Sequence, residues 1–255
     1  MLDVALYTTV VDAIADFDTT RRRHRRQCLV ELIPAIAQHA AISRERNRLE
    51  SGGLNVFRFF SPGETTHSRL LAYFLDPQGQ HGQGTLFLAE FLRLLGISEP
   101  DSGAAHWTVT AETGRVDVLI RRAHPHTVVV VENKSNYAID QPNQLYRYWH
   151  QEIHLKQLAR HRPAAEIDRP PESHYRLVYL APAAWKKPEA QSLRRPEAWK
   201  EWGAHLPAVV PMTVEQHLFR DFVVCWLEKA IAQLPPSNHR LREFTRQYIQ
   251  FWQAS

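Results

Sequence analysis

The spacing of apolar and polar residues divides the chain into a helical front, a mixed middle and a helical end. From about Gln27 to Arg46, Leu29, Ile33, Ile36, Ala37 and Ala40 recur at helical spacing and predict a helix with one apolar stripe. Paired glycines and a proline between residues 51 and 63 predict a loop into a second helix. That helix buries Leu70, Leu71, Phe74 and Leu75 and takes Thr65 or Thr66 as its cap. Pro77 and the glycines at 79, 82 and 84 end it. A third helix is predicted from about Thr85 to Leu95, with Phe87, Leu88, Phe91, Leu92 and Leu95 inward and Gly96 as its stop.

The period then changes to that of strands, near Trp107 to Ala111, Arg115 to Ile120 and Thr127 to Glu132. The last two are rich in β-branched residues and are separated by a turn containing Pro125, as in a hairpin or two adjacent strands. A helix follows from about Asp140 to Arg160, then a strand from Tyr175 to Leu180. A polar loop with many Pro and Trp residues leads to a strand near Ala208 to Met212, and helices Val214 to Ala232 and Leu241 to Trp252 close the chain. No internal repeat is strong enough to use.

The two central strands carry charge where buried strands should not. Asp117 lies inside the first apolar run, Glu132 ends the second, and Lys134 sits two residues on. Because strand side chains alternate, Glu132 and Lys134 point to one face and Asn133 to the other. Two carboxylates and an ammonium at a sheet edge are costly unless something uses them, and a divalent cation is the usual user.

The pattern Asp117, then Glu132-Asn133-Lys134, resembles the PD-(D/E)XK nuclease superfamily, in which an acid on one strand and E-x-K on the next form a Mg²⁺ site. The flanks strengthen the resemblance: residues 61–84 read SPGETTHSRLLAYFLDPQGQHGQG and residues 140–148 read DQPNQLYRY. From about Phe60 to the C-terminus the chain is similar to a bacterial branch pairing an E-x-x-H-S helix start and a D-P-x-G-x-H-G-x-G turn with the strand motif. One departure is that Val116, not proline, precedes Asp117. The resemblance implies an α/β restriction-endonuclease-like core, a mixed central sheet flanked by helices in α-β-β-β-α-β order, with helical extensions at both ends. It implies a helical extension over residues 1–59 and a nuclease-like domain over 60–255, the two read as one compact unit.

The resemblance also implies roles. Asp117, Glu132 and Glu64 would hold Mg²⁺, with Mn²⁺ as a possible substitute, and Asn133 would add only its backbone carbonyl, so its side chain should matter less. Lys134 would align the attacking water or stabilise the pentacovalent phosphate. Gln144 and Tyr148, four apart on one helical face, match the Q-x-x-x-Y arrangement that positions the scissile strand and the lysine in the exonuclease-like branch. His67 orients Glu64, contacts phosphate or packs in the core; Ser68 meets substrate or simply closes the first turn. The implied activity is Mg²⁺-dependent hydrolysis of nucleic-acid phosphodiesters, with DNA favoured over RNA, in bacterial DNA maintenance or defence. The alternatives are a silent nucleic-acid-binding or protein-interaction module that kept the fold, and an RNase effector.

Composition agrees with this reading. A chain of 255 residues with 44% hydrophobic content is long enough for a sizeable core. Its net charge of +4 and pI near 9.2 favour an anionic partner. Cys28 and Cys225, the only cysteines, argue against a disulfide scaffold. No apolar run spans a bilayer and the N-terminus lacks a basic leader, so a cytoplasmic protein, away from membranes, is expected. A homo-oligomer or a protein partner stays open.

The remaining motifs exclude other chemistry or leave two readings. His81, His106, His124 and His126 are scattered without zinc spacing, and there is no G-x-S-x-G elbow or P-loop. The run Arg21 to Arg26 is a solvated face or a partner contact, and its expected place ahead of a helix disfavours it electrostatically. The segment Trp185 to Trp202 mixes three Trp with basic residues, which suits base stacking or a loop anchored on the core.

Overall fold

The computed structural model describes residues 4–51, 53–97, 106–156 and 174–254. Contacts divide the chain into two compact units, Met1–Leu54 and Asn55–Ser255. Among its described residues the first holds one helix, α1 (Val4–Glu50), which runs well past the predicted ends and contains Pro34. The arginines from Arg21 to Arg26 lie inside α1 rather than ahead of a helix, so the expected dipole penalty does not apply to them.

The second unit is built on a five-stranded sheet in the order β1-β2-β3-β4-β5. Strands β1 (Trp107–Thr113), β2 (Val116–Arg122) and β3 (Thr127–Asn133) form an antiparallel meander; β4 (Tyr175–Ala181) and β5 (Val214–Leu218) continue it in parallel. Every residue of β3 is buried, as expected of a central strand covered on both faces. Val118, Ile120, Val129, Val131, Val178 and Leu180 face one core, shared with α3 (Glu64–Leu75), α4 (Leu86–Leu94), α6 (Val224–Ala232) and α7 (His239–Gln253). Leu119, Val128, Val130, Leu177 and Tyr179 face the other, packed on Leu145, Tyr146, Trp149 and Ile153. The sheet with helices on both sides is the α/β class expected. No helix among the described residues is long and apolar enough to cross a membrane.

Several elements differ from the sequence reading, each for a local reason. Helix α3 starts at Glu64 after Gly63, so neither Thr65 nor Thr66 caps it. The short α2 (Val56–Phe60) occupies part of the predicted loop; Asn55 caps it by accepting from Phe57 N–H at 3.0 Å, and Asn55 Nδ2 donates to the Gln247 carbonyl of α7 at 2.7 Å. Val214–Leu218, expected in a helix, is β5: its helix-forming residues are overridden by pairing along the free edge of β4, with Arg176 and Glu215 bridged at 2.9 Å. Ala208–Met212, expected as a strand, makes only the isolated bridge Val209–Arg194, because Pro207 and Pro211 lack the N–H a ladder needs. The helix expected over 140–160 begins as α5 (Gln144–Tyr148) and widens into a π-helical turn, Trp149–His154; residues 157–160 lie outside the described ones.

Candidate active site

The antiparallel register brings the start of β2 beside the end of β3, so Asp117 meets the E-x-K segment. Asp117 Oδ2 accepts the backbone N–H of Asn133 at 2.6 Å. Alternation along β3 then sends Glu132 and Lys134 to the face that carries α5. Gln144 Nε2 of α5 donates to Glu132 Oε1 at 2.8 Å, and Lys134 Nζ lies 2.6 Å from the same oxygen. Gln144 also accepts from Lys134 Nζ at 3.4 Å and donates to the Tyr148 hydroxyl at 2.9 Å. The Tyr148 hydroxyl itself donates a hydrogen bond to the carbonyl of Arg115 in the β1–β2 turn. The Gln144–Tyr148 pair thus spans from the turn before β2 to the ammonium beyond β3.

Asn133 points to the opposite face and holds α3. Its Nδ2 donates to the Glu64 carbonyl at 2.9 Å and to Ser68 Oγ at 3.0 Å, while its Oδ1 accepts from Ser135 N–H. Ser68 in turn donates to the Glu64 carbonyl at 3.1 Å. The side chain expected to matter less is therefore the tie that fixes the helix start carrying Glu64. Ser68 is fully buried in this tie, which closes the first turn of the helix and leaves it no exposed face toward a substrate. Asn133→Ala should cost about 1–3 kcal/mol by orphaning these groups. It should also slow any cleavage although Glu132 and Lys134 remain; urea unfolding beside a cleavage assay checks both, and unchanged stability would contradict the tie.

His67, one residue earlier, goes elsewhere. Its Nδ1 is 2.9 Å from the Tyr248 hydroxyl of α7, and its ring lies among Phe219, Phe251 and Trp252. Burial pulls its pKa down to about 4, so it is neutral at physiological pH. Of the three roles open to it, this is the packed core histidine.

Three groups that the sequence reading did not single out complete the cluster. Asp140, 2% exposed, places Oδ1 3.6 Å from Lys134 Nζ and 3.8 Å from Lys186 Nζ. It accepts from the Tyr179 hydroxyl at 2.9 Å and from Glu189 N–H at 2.8 Å. Asp140 opens the segment DQPNQLYRY, and an acid so close to an expected catalytic lysine was the available signal. Tyr179 comes from β4 and Lys186 from the loop after it; the sequence marks Lys186 only as one basic residue of the segment Trp185 to Trp202 and does not mark Tyr179 at all.

Electrostatics sets the protonation of the cluster. Burial pushes Asp117 up to about 8, helped by the charge of Glu132 and opposed by the Asn133 N–H. Burial likewise raises Glu132 to about 7, against the pull of Lys134. Burial also pushes the Glu64 carboxyl above its usual range, partly offset by Lys134. For Lys134 burial acts downward, but Glu132, Asp140 and Glu64 outweigh it and the ammonium persists. The Tyr148 phenol is raised by burial and by Glu132, so it stays neutral.

A family model described as the PD-(D/E)XK nuclease superfamily matches residues 54–250. The chain belongs to the PD-(D/E)XK nuclease superfamily. No curated protein and no solved structure matches it. Members of the PD-(D/E)XK superfamily are usually nucleases, typically with divalent metals, although some are inactive. The match begins at the N-terminal boundary of the second unit and includes α2.

The donors present suit a hard cation. Among the described residues, Glu132 Oε2 and Glu64 Oε1 are buried carboxylate oxygens without a hydrogen-bond partner. Such acceptors are expensive unless an ion or water meets them. No three His, Cys, Asp or Glu side chains among the described residues are yet grouped to hold a metal. Lys134 explains part of this, since it occupies the other oxygen of Glu132. The chemistry of the PD-(D/E)XK donor set therefore fits Mg²⁺ or Mn²⁺, while in the metal-free arrangement Lys134 and the raised carboxyl pKa values offset the charge of the acids.

Proposed function

We propose that this chain hydrolyses phosphodiester bonds of nucleic acid with the help of Mg²⁺, or of Mn²⁺ as a substitute, with DNA as the favoured substrate and bacterial DNA maintenance or defence as the setting. The observation that carries this reading is the pair of unpartnered buried oxygens, on Glu132 and Glu64, beside a lysine kept charged by three surrounding acids. A structural ion pair has no reason to leave those oxygens unmet.

Glu132, Asp117, Glu64 and the backbone carbonyl of Asn133 would hold the cation. When bound, it would lower the pKa of a water and neutralise charge on the phosphate. Lys134 stays an ammonium, so it serves as a hydrogen-bond donor to the attacking oxygen or the phosphate rather than as a base. Asp140 and Gln144 keep it in place when Glu132 turns to other duties. Such fixed positioning is what makes a charge useful in a transition state, because no reorganisation is needed as charge develops.

Incubating the purified protein with single- and double-stranded DNA and RNA in Mg²⁺, Mn²⁺ or EDTA tests the proposal. Cleavage in the metal lanes alone is expected. Binding with no cleavage in any lane would instead identify a silent module. A second expectation concerns the helix start: Glu64→Gln should weaken Mg²⁺ affinity in calorimetry, whereas an acid serving only the helix dipole would change stability by roughly 0.3–1 kcal/mol and leave affinity alone.

A further inference from the structure

At the same end of β3 and β4, two exposed rings take no part in the cluster. Tyr137 and Trp185 stack with centroids 5.2 Å apart and planes 11° from parallel, at 49% and 70% exposure. Each is tied closely to the site. Tyr137 N–H donates to the Lys134 carbonyl at 3.0 Å. Trp185 directly precedes Lys186, whose Nζ reaches Asp140. Tyr137 also holds a left-handed backbone, φ 64°, which a side chain adopts only at a cost.

Other tryptophans in this stretch behave differently. Trp199 packs on Tyr146 and His150, which anchors the loop on the core, and Trp202, 55% exposed, leans on Trp199 at the far end of the segment from the cluster. Trp185 has one face on Tyr137, and its large exposure leaves the opposite face open to solvent. A flat apolar face held rigid beside a phosphate-processing site has the properties of a base-stacking surface. The exposed Lys187 adds positive charge next to it.

We propose that Tyr137 and Trp185 form a stacking platform for an unpaired nucleobase next to the scissile phosphate, a reading that rests on the nuclease function above. The base must be unstacked, because a base inside a duplex already has both faces covered by the base pairs above and below it. The platform therefore selects a single strand, or a strand end splayed from its partner, as the substrate.

The test measures binding of the full chain, in EDTA, to a short fluorescent oligothymidylate and to an abasic strand of the same length. Trp185→Ala should weaken binding of the oligothymidylate by about 5- to 150-fold, the range of one stacked base, and leave the abasic strand unchanged. Trp185→Phe, which keeps a flat ring, should retain most of the affinity. Equal affinity of Trp185→Ala and wild type for oligothymidylate would overturn the platform, as would equal losses on both strands, which indicate a clip that merely shapes the loops. Wild-type protein that cleaves DNA while its binding ignores Trp185 overturns the platform alone. Wild-type protein that neither binds nor cleaves any strand overturns the nuclease reading and the platform with it.

Discussion

Glu132→Gln, Asp117→Asn and Lys134→Ala should each remove the proposed metal-dependent cleavage, by about a thousandfold or more, while the fold persists. A thousandfold corresponds to roughly 4 kcal/mol of transition-state stabilisation, a size typical of a preorganised charge in a dry site. The three variants should differ in how they fail. Glu132→Gln and Asp117→Asn take away anionic oxygens and should weaken Mg²⁺ binding in calorimetry. Lys134→Ala frees Glu132 Oε1 from the ammonium 2.6 Å away and should bind Mg²⁺ at least as tightly as wild type, yet turn over poorly. Lys134→Arg should not rescue it, since a planar guanidinium cannot occupy the compact space between Glu132, Asp140 and Gln144. Cleavage at the wild-type rate in Glu132→Gln would falsify the assignment of the site.

Stability of the metal-free chain should fall as pH rises from about 6.5 to 8. In the folded chain Asp117 titrates near 8 and Glu132 near 7, against ordinary values of 3.8 and 4.5. At a pH below both ordinary values, folded and unfolded chains hold these protons equally and nothing is lost. Above that, the unfolded chain releases them while the folded chain retains them, so each further step in pH favours unfolding until the folded values are passed. His67 has the opposite sign: its pKa is drawn down to about 4, so its contribution is complete above about 6.5 and is lost toward acid pH. Burial lowers His81, His150 and His154 as well, with the sign of His67, so the carboxyls' share of the 6.5 to 8 window is read as the difference between wild type and Asp117→Asn. There the expected loss is about 2 kcal/mol, or roughly 5 °C in melting temperature for a unit of this size. Thermal melts in EDTA measure it. Asp117→Asn should flatten the slope, and Mg²⁺ should restore stability at the upper end. A melting temperature that holds steady or climbs across this window in EDTA would contradict the burial of both acids.

How far the site could be read from sequence follows from how local each signal is. Asp117 and Glu132 stood out because an acid in a run of β-branched residues has few structural explanations. The opposite facing of Glu132 and Asn133 followed from strand alternation alone. The role of the Asn133 side chain did not, because Glu64 and Ser68 lie more than sixty residues away and only folding brings them to β3. Asp140 and Lys186 meet across 46 residues for the same reason. Sequence alone leaves the role of His67 open, because its partner Tyr248 is 181 residues distant. Among the elements, the long apolar helices and the β-branched strands were recoverable from periodicity. The half-buried β5 was not, since pairing along β4 rather than its own composition decides its state.

The antiparallel pairing of β2 and β3 has a practical consequence. Asp117 and Glu132 lie at one end of this pair, and the turn through Ala123 and His124 lies at the other, with both turn residues exposed. Five residues of extended chain separate Thr127 from Glu132, so the turn is roughly 20 Å from the carboxylates. A fluorophore attached at His124→Cys, in a chain with Cys28 and Cys225 replaced, would sit within energy-transfer range of a labelled strand yet out of its path. Arrival and release of substrate could then be timed separately from the chemical step.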